Sequence, residues 1–296
     1  MRILLTGKNG QLGWELGRAL SPLGEVNAPD RAGLDLADTE RIVSAVRSAR
    51  PDVVVNAAAY TAVDQAESEP DAAFAINARA VVVLAEEARR AGALFIQYST
   101  DYVFDGTKEG PYVEDDIPNP LNVYGRSKLA GDLAVRSAGG PHIILRTSWL
   151  YAARGENFLL TMRRLLREKG TVRVVSDQIG APTSAGSLAD ATAEVLRQFS
   201  SAPRNLSGTY HATAGGSTSW HGFASEIARF EQAGAPRPLH VVPIPSIDYP
   251  APAPRPKNSR LSNEKLLRTF GVRLPPWQAC LEACYAQLRS SSQSPD

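Results

Sequence analysis

Cysteine is scarce in this chain of 296 residues, which contains only two. Cys280 and Cys284 stand four residues apart in a predicted helix, a spacing that matches neither a zinc pattern nor a disulfide framework. We expect both to be buried core thiols. The sequence therefore predicts no metal site from its cysteines.

An excess of charge of one sign is also absent. Lys and Arg number 32 and Asp and Glu number 31, which gives a net charge of +1. This balance argues against a general affinity for nucleic acid or for anionic membranes, so local groups must hold any anionic ligand. The first apolar run, Arg2 to Thr6, is far too short for a signal-peptide core or a membrane span. We expect a cytoplasmic protein.

Three glycines follow that short run, which is itself a predicted strand, and precede a helical apolar pattern. Gly7, Gly10 and Gly13 form a Gly-x-x-Gly-x-x-Gly motif. Their missing side chains permit a tight turn, close approach of the backbone to a pyrophosphate and close packing of helix on strand. The amino end of the helix then faces the phosphates. At the start of a strand–turn–helix unit, this motif predicts a Rossmann-type dinucleotide-binding fold, α/β with a doubly wound parallel sheet.

Two side chains of opposite charge end the second predicted strand. Asp30 lies 17 residues beyond Gly13, close to the position of an acid that binds the adenosine ribose. Arg31 follows it and is suited to a 2′-phosphate. The choice between NADH and NADPH therefore stays open. Asp35 and Leu36 either border the adenine or simply lead into the next helix.

The third predicted strand, Val53 to Val55, is apolar throughout, as is typical of a parallel strand buried on both faces. It leads into Asn56-Ala57-Ala58-Ala59-Tyr60-Thr61. Small residues at the carboxyl end of a strand allow a flat cofactor to lie against the backbone. Ala59, Tyr60 and Thr61 are therefore candidate cofactor contacts.

A Tyr-x-x-x-Lys motif, Tyr124 to Lys128, follows a fourth predicted strand that ends at Thr100-Asp101. Residues i and i+4 share one face of a helix, so a phenol and an ammonium can sit side by side. We expect Lys128 to lower the pKa of Tyr124, which makes the phenol a general acid. The alternative is an amphipathic surface pair. The strand end favours the catalytic interpretation, since open α/β sheets bind ligands at that edge.

The second half of the chain has a different pattern, in which helices alternate with short strands. We expect a dinucleotide-binding domain over 1–151, a smaller domain that mainly binds the substrate over 152–289, and a polar tail over 290–296. Trp149, at the boundary, either lines a sugar pocket or belongs to the core. Arg255, Lys257 and Arg260 either meet a diphosphate or form a solvated basic turn.

With these motifs in place, the sequence resembles the extended short-chain dehydrogenase/reductases that act on nucleotide sugars. Within that group it is similar to the branch that reduces dTDP-4-dehydro-L-rhamnose. The similarity runs from Met1 to about Leu288. Its strongest stretches are Gly7 to Gly13, Val55 to Asp64, Tyr98 to Phe104, Pro120 to Gly125, Arg146 to Trp149 and Asn258 to Leu261.

The resemblance implies reduction of the C4 ketone of dTDP-4-dehydro-L-rhamnose to dTDP-L-rhamnose with NADPH or NADH. Tyr124 would protonate the C4 oxygen, Lys128 would hold the nicotinamide ribose, and Thr100 would orient the carbonyl. Further implied cofactor contacts are Gly10, Gln11, Leu12, Asp30, Asp35, Leu36, Ala59, Tyr60, Thr61 and Tyr98. Implied sugar-nucleotide contacts are Thr100, Asp101 and Trp149.

Two departures from the family pattern leave the cofactor preference open: Tyr60 stands where relatives have histidine, and the surroundings of Arg31 vary. The resemblance also admits a homodimer and Mg²⁺ as an accessory ion. It implies no nucleic-acid and no membrane partner.

Ketone reduction needs a reduced nicotinamide and one positioned acid, and no metal. The related dehydratases commonly carry Asp-Glu after the Thr, whereas here Tyr102 follows Asp101. Another nucleotide-sugar reductase or an epimerase remains an alternative. So does a binding protein, because the fold resembles the regulatory subunit of methionine adenosyltransferase. The intact set of Thr100, Tyr124 and Lys128 favours an enzyme.

Overall fold

The computed structural model describes residues 1–201 and 206–291. Its strands are β1 (Arg2–Thr6), β2 (Glu25–Asn27), β3 (Val53–Asn56), β4 (Leu94–Thr100), β5 (His142–Thr147), β6 (Leu150–Tyr151), β7 (Thr171–Val175), β8 (Ile179–Gly180), β9 (Thr183–Ser184), β10 (Gly208–His211), β11 (Thr218–Ser219) and β12 (His240–Ile244). Its helices are α1 (Gln11–Leu20), α2 (Thr39–Ala49), α3 (Val63–Ala66), α4 (Pro70–Phe74), α5 (Ala80–Arg90), α6 (Val123–Ala138), α7 (Phe158–Lys169), α8 (Ala185–Ser201), α9 (Trp220–Gln232), α10 (Glu264–Phe270) and α11 (Trp277–Ser291).

Six parallel strands form the main sheet in the order β10-β5-β4-β3-β1-β2. The strand order reverses at β1 and β3, and in open α/β sheets the crevice at such a point binds ligands. The predicted doubly wound parallel sheet is confirmed. Within the described residues, no helix is both long enough and apolar enough to cross a membrane.

Alternate residues of each central strand face opposite sides of the sheet, and each side has its own core. Ile3, Leu5 and Ile96 pack with α1, α8 and α10 on one side. Leu4 and Phe95 pack with α2 and α5 on the other. Since both faces of these strands are covered, continuous apolar sequences such as Val53 to Val55 are what this sheet requires.

A separate apolar cluster lies between α7, α9, α11 and β7. It contains Cys280 and Cys284, which are both buried and unpaired, as predicted. Elements beyond Tyr151 contribute to both regions, because α8, β10 and α10 pack into the core of the main sheet. The domain division at 151 stays a prediction. Residues 292–296 of the predicted tail lie outside the described residues, and α11 runs to Ser291.

A row of buried hydrogen bonds crosses the carboxyl end of the sheet. Thr6 Oγ1 donates to Asn56 Oδ1 at 2.6 Å, and Asn56 Nδ2 donates to Gln97 Oε1 at 2.8 Å. Gln97 Nε2 donates to the carbonyl oxygen of Tyr98 at 3.2 Å. Since buried polar groups are costly when unpaired, this row favours one register for β1, β3 and β4.

The helical region between β3 and β4 is interrupted. A π-helical segment, Ala75–Arg79, separates α4 from α5. It carries the buried side chain of Asn77, whose Oδ1 accepts from the Tyr60 amide at 2.9 Å. Asn77 Nδ2 donates to the Tyr60 carbonyl and to Ser127 Oγ, both at 3.0 Å. A π-helical turn contains one residue more than an α-helical turn, and here the hydrogen bonds of Asn77 connect the loop after β3 to α6.

The close packing of α1 on β1 gives a stability prediction. A Cβ at Gly13 would lie 1.9 Å from the carbonyl oxygen of Gly7, so Gly13→Ala should destabilise the protein strongly. Gly17→Ala in the same helix meets no atom within 4 Å and should raise stability by roughly 0.5–1 kcal/mol. Thermal unfolding followed by circular dichroism tests this pair. Equal melting temperatures for the two variants would contradict the prediction.

Candidate active site

Two adjoining cavities form a groove along the carboxyl edge of the sheet. The first, of about 500 Å³, lies over the glycine turn and the ends of β2 and β3. The second, of about 700 Å³, lies over the ends of β4 and β5 and the start of α6. The residues that line both are Gly7, Asn9, Gly10, Ala58 and Ala59. The groove is therefore continuous across the reversal of strand order.

The glycine turn shapes the middle of this groove. Gly7 has φ +76°, a left-handed conformation, and a Cβ there would lie 2.7 Å from the amide nitrogen of Ala58. α1 begins at Gln11, and its cap residue, Gly10, has no side chain that could accept from the first-turn amides. These amides therefore remain available at the groove. A free helix amino end next to a cradle without side chains fits a pyrophosphate. The residues present therefore fit the dinucleotide that the motif predicts.

Charged side chains surround the first cavity at the end of β2. Asp30 Oδ1 accepts from the Gly33 amide at 3.0 Å, and Lys8 Nζ lies 3.8 Å from Asp30 Oδ2. This hydrogen bond and the Lys8 cation lower the pKa of Asp30, which keeps it ionised at neutral pH. Arg31 lines the same cavity. A carboxylate for a ribose and a guanidinium for a 2′-phosphate are thus both present.

The structure brings nearly all of the predicted cofactor residues to the groove. Those that line the first cavity are Gly7, Gly10, Asp30, Arg31, Asp35, Leu36, Ala59 and Tyr60. Those that line the second are Gly7, Gly10, Gln11, Leu12, Ala59, Thr61, Tyr98, Tyr124 and Lys128. Gly13 lines neither, and it acts by letting α1 pack closely on the turn.

Helix α6 presents Tyr124 and Lys128 to the second cavity. The helix begins at Val123 with Asn122 as its cap, whose Oδ1 accepts from the Gly125 amide at 2.8 Å. A Cβ at Gly125 would lie 2.2 Å from the carbonyl oxygen of Tyr102. The glycine after Tyr124 therefore allows the first turn of α6 to approach the segment that follows β4.

The prediction that Lys128 lowers the pKa of Tyr124 is wrong for this structure. Burial raises the pKa of the Tyr124 phenol, the negative charge of Asp101 raises it further, and only a hydrogen bond with Thr100 opposes the shift. The phenol is therefore protonated at neutral pH, which is the state that a proton donor requires. The error arose because the motif shows the cation but not the burial.

Lys128 is buried, with 3% of its surface exposed. Its Nζ donates to the carbonyl oxygen of Tyr98 at 2.6 Å, which leaves two of its three N–H groups for another acceptor. Burial lowers the pKa of Lys128 to about 8, while the carboxylate of Asp132 opposes that shift. The ammonium form thus dominates at neutral pH and is lost in mildly basic solution.

Thr100 ends β4 and Asp101 follows it, and both line the same cavity as Tyr124, as predicted. Thr100 Oγ1 donates to Asp101 Oδ1 at 3.1 Å and accepts from the Tyr102 amide at the same distance. Asp101 is 3% exposed. Burial raises its pKa to about 6, although hydrogen bonds from Ser259 and Thr100 lower it. The cavity therefore holds a carboxyl group that titrates near neutrality.

Trp149 lines the second cavity rather than filling the core. Its φ of +48° is unusual for an aromatic residue, and its ring stacks on Trp220 with centroids 3.6 Å apart. Gly180 also lies close to the indole, since a Cβ there would be 2.5 Å from Trp149 Cε2. The stacked pair leaves an aromatic edge at the cavity, as the sugar-pocket interpretation expects.

Sequence reasoning missed some residues of the groove. Lys8 lies inside the glycine motif, so its position could have indicated a role. Trp220 is the first residue of α9, and no motif in the sequence marked it. Asn157 Nδ2 donates to Gln11 Oε1 at 2.9 Å and so connects α7 to the glycine turn. That contact joins residues 146 positions apart and depends on the fold alone.

Arg255 in the basic segment over 255–260 is held in an ion pair rather than in a solvated turn, and a diphosphate contact of this segment stays a prediction. The Arg255 guanidinium forms a two-pronged pair with Asp64 on α3, at 3.0 and 2.8 Å. Arg260 Nε donates to Asn258 Oδ1 at 2.9 Å. Arg255 also borders a third cavity, of about 420 Å³, which shares Trp220 with the second. A role for Lys257 stays untested.

No group of three or more His, Cys, Asp or Glu side chains in 1–201 and 206–291 is arranged to hold a metal ion. The accessory Mg²⁺ that the resemblance admitted gains no site within those ranges. It stays a prediction.

Comparison with known proteins gives a consistent result. The sequence matches the family described as the RmlD substrate binding domain over residues 1–290. It is 51% identical over 297 residues to the dTDP-4-dehydrorhamnose reductase of Burkholderia thailandensis, covering 98% of this chain and 100% of the relative. Identity to the enzyme of the same name in Escherichia coli K12 is 48% over 287 residues, with 94% and 95% covered. The structure of the Bacillus anthracis dTDP-4-dehydrorhamnose reductase in complex with NADP matches with a TM-score of 0.89 and 37% identity, over 97% and 99% of the two chains.

The raised pKa of Asp101 predicts a pH-dependent stability. A group whose pKa rises on folding, here from 3.8 to about 6, stabilises the protein below the lower value, and that contribution is lost as the pH rises through the higher one. Asp101→Asn should therefore gain stability relative to the wild type between pH about 4 and about 7. Melting temperatures of both proteins across this range test the prediction.

Asp105→Asn is the matched control. Hydrogen bonds from the Thr107 amide and from Asn119 lower the pKa of Asp105, so its stabilising contribution is present throughout the range above 3.8. The variant should lose about the same stability at every pH tested. A constant difference for Asp101→Asn as well would show that Asp101 does not titrate near neutrality.

Proposed function

The chain belongs to the RmlD substrate binding domain family, and on that premise we propose that it is an NAD(P)H-dependent dTDP-4-dehydrorhamnose reductase. It reduces the C4 ketone of dTDP-4-dehydro-L-rhamnose to dTDP-L-rhamnose. The observation that carries the proposal is that Thr100, Tyr124 and Lys128 converge on one cavity, which continues into the cradle of the glycine turn.

In the proposed reaction, Tyr124 is the proton donor. The ketone becomes an alcohol by gaining a hydride on carbon and a proton on oxygen, and the bound nicotinamide supplies the hydride. Tyr124 holds its proton at neutral pH because its phenol is buried beside an anion. During the reduction this proton passes from the Tyr124 hydroxyl to the C4 oxygen. Solvent then restores the proton.

Lys128 and Thr100 position the reactants. Lys128 has two N–H groups beyond the one that bonds to Tyr98, and we assign these to the nicotinamide ribose. Thr100 Oγ1 donates its single hydrogen to Asp101 in this structure, and we propose that it turns this hydrogen to the substrate carbonyl and so holds the oxygen beside the Tyr124 phenol. Correct placement of this kind makes a large contribution to rate.

We assign the sugar nucleotide to the second and third cavities, on either side of Trp220. The sugar would lie beside Trp149, and the nucleotide would extend toward the loop that carries Arg255. On this assignment, residues 152–289 supply much of the substrate site. The homodimer and the cytoplasmic location stay predictions.

Deleting the proton donor tests the function directly. Tyr124→Phe keeps the ring and removes the hydroxyl, so turnover should fall by ~10²–10⁴-fold, the usual contribution of general acid catalysis, while NADPH still binds. Oxidation of NADPH with dTDP-4-dehydro-L-rhamnose is followed by absorbance. Tyr102→Phe removes a hydroxyl from a ring 5.8 Å away in the same cavity and should cost much less. A wild-type protein that binds NADPH but oxidises neither cofactor with this substrate would refute the reductase proposal.

The charges around the first cavity predict that both cofactors are used, with a preference below ~100-fold, about 2.7 kcal/mol. Arg31→Ala should weaken NADPH more than NADH, because only NADPH carries the 2′-phosphate. Asp30→Asn should affect NADH more, because a carboxylate bonds best to a free ribose. Michaelis constants for both cofactors in both variants test this. Parallel changes for the two cofactors would exclude these residues as the determinants.

A further inference from the structure

A buried ion pair lies beneath the reaction cavity. Arg146 on β5 and Asp132 on α6 are each 0% exposed, and Arg146 Nε lies 3.1 Å from Asp132 Oδ2. The same carboxylate oxygen accepts from Ser99 Oγ on β4 at 2.9 Å. A buried pair gains little net stability, since desolvation offsets the attraction. Its position relative to the site therefore matters more than its strength.

Each member of this network is next to a residue of the site. Ser99 precedes Thr100 on β4, and Arg146 precedes Thr147, which lines the second cavity. Asp132 is one helical turn beyond Lys128, so both side chains lie on the same buried face of α6. The carboxylate of Asp132 is thus paired with the guanidinium of Arg146, and it also acts electrostatically on the ammonium of Lys128 one turn away.

We propose that Asp132 is a positioning residue that acts through Lys128, as the shared counter-charge that keeps this buried ammonium protonated while Arg146 competes for the same carboxylate. The proposal rests on the reductase function and on the role assigned there to Lys128. Asp132 touches neither substrate nor cofactor, since it does not line the groove.

The surroundings of Lys128 support this assignment. Desolvation lowers its pKa, and Asp132 is the charged group that opposes the effect. Among the elements around Lys128, β4 contributes the Tyr98 carbonyl, and the turn after β4 contributes Asp101. Strand β5 contributes Arg146, and α6 itself contributes Tyr124. The π segment contributes Asn77, which is uncharged and bonds to Ser127.

The test is the pH dependence of turnover at saturating substrates, measured for wild type and three variants. Asp132→Asn removes the anion, so Lys128 should lose its proton more easily and the basic limb of the profile should move down by about one pH unit or more. Arg146→Met removes the competing cation, so the limb should move up. Asp132→Glu keeps the charge and should retain the wild-type limb.

A purely structural role predicts a different result. Asp132→Asn and Arg146→Met would then lose activity by a constant factor at every pH, and the basic limb of the pH profile would stay at its wild-type position. This result would overturn the proposal. Removing one partner of a buried pair often destabilises a protein. If one of the two variants does not fold, the direction of the shift in the other decides.

NADPH affinity over the same pH range provides a readout that needs no turnover. Because Lys128 is assigned to the nicotinamide ribose, affinity should fall on the basic side, at lower pH in Asp132→Asn and at higher pH in Arg146→Met. Cofactor binding with these opposite shifts, but no activity with the dTDP sugar in the wild type, would refute the reductase function and keep the role of Asp132. Unshifted binding together with normal wild-type activity would refute the role of Asp132 alone.

Discussion

The row of buried hydrogen bonds across the carboxyl end of the sheet is the constraint on which the site depends. It runs from Thr6 through Asn56 to Gln97 and reaches the carbonyl of Tyr98. Lys128 donates to that same carbonyl. One connected set of buried hydrogen bonds therefore joins β1, which leads into the glycine turn, to α6, which carries the proton donor. A slip in register would leave several of them unpaired, at a cost of about 1–3 kcal/mol each.

Much of this arrangement could be predicted from the sequence because it is local. A strand, three glycines and an apolar helical pattern indicate a dinucleotide site, and parallel strands have their carboxyl ends at one edge. Thr100 and Tyr124 meet there for that reason. The contacts that could not be predicted join distant parts of the chain. The pair between Asp64 and Arg255 spans 191 residues, and nothing in either segment indicates the other.

Burial accounts for the electrostatic expectation that was wrong. Spacing showed that Lys128 could stand near Tyr124, and in water a neighbouring cation lowers the pKa of a phenol. Inside the protein, desolvation raises the pKa of the phenol and lowers the pKa of the ammonium, which favours the neutral form of both groups. The anion of Asp101 raises the pKa of the phenol further. The sequence shows which charges are present, but it does not show how much water each one loses.

The opposite pKa shifts of Asp101 and Lys128 define a pH interval in which both groups of the ligand-free site are charged. The pKa of Asp101 is raised to about 6 and that of Lys128 is lowered to about 8, so between these values the carboxylate and the ammonium are both charged. Within the same interval Tyr124 keeps its proton, because burial and the Asp101 anion both raise its pKa. Below the interval Asp101 is neutral and no longer adds to the raised pKa of Tyr124, whose phenol stays protonated because it is buried. Above it Lys128 loses the charge that the neighbouring Asp132 helps to maintain. One buried edge of a sheet thus supplies a protonated donor, which burial favours, together with a charged ammonium, which burial opposes and Asp132 helps to maintain.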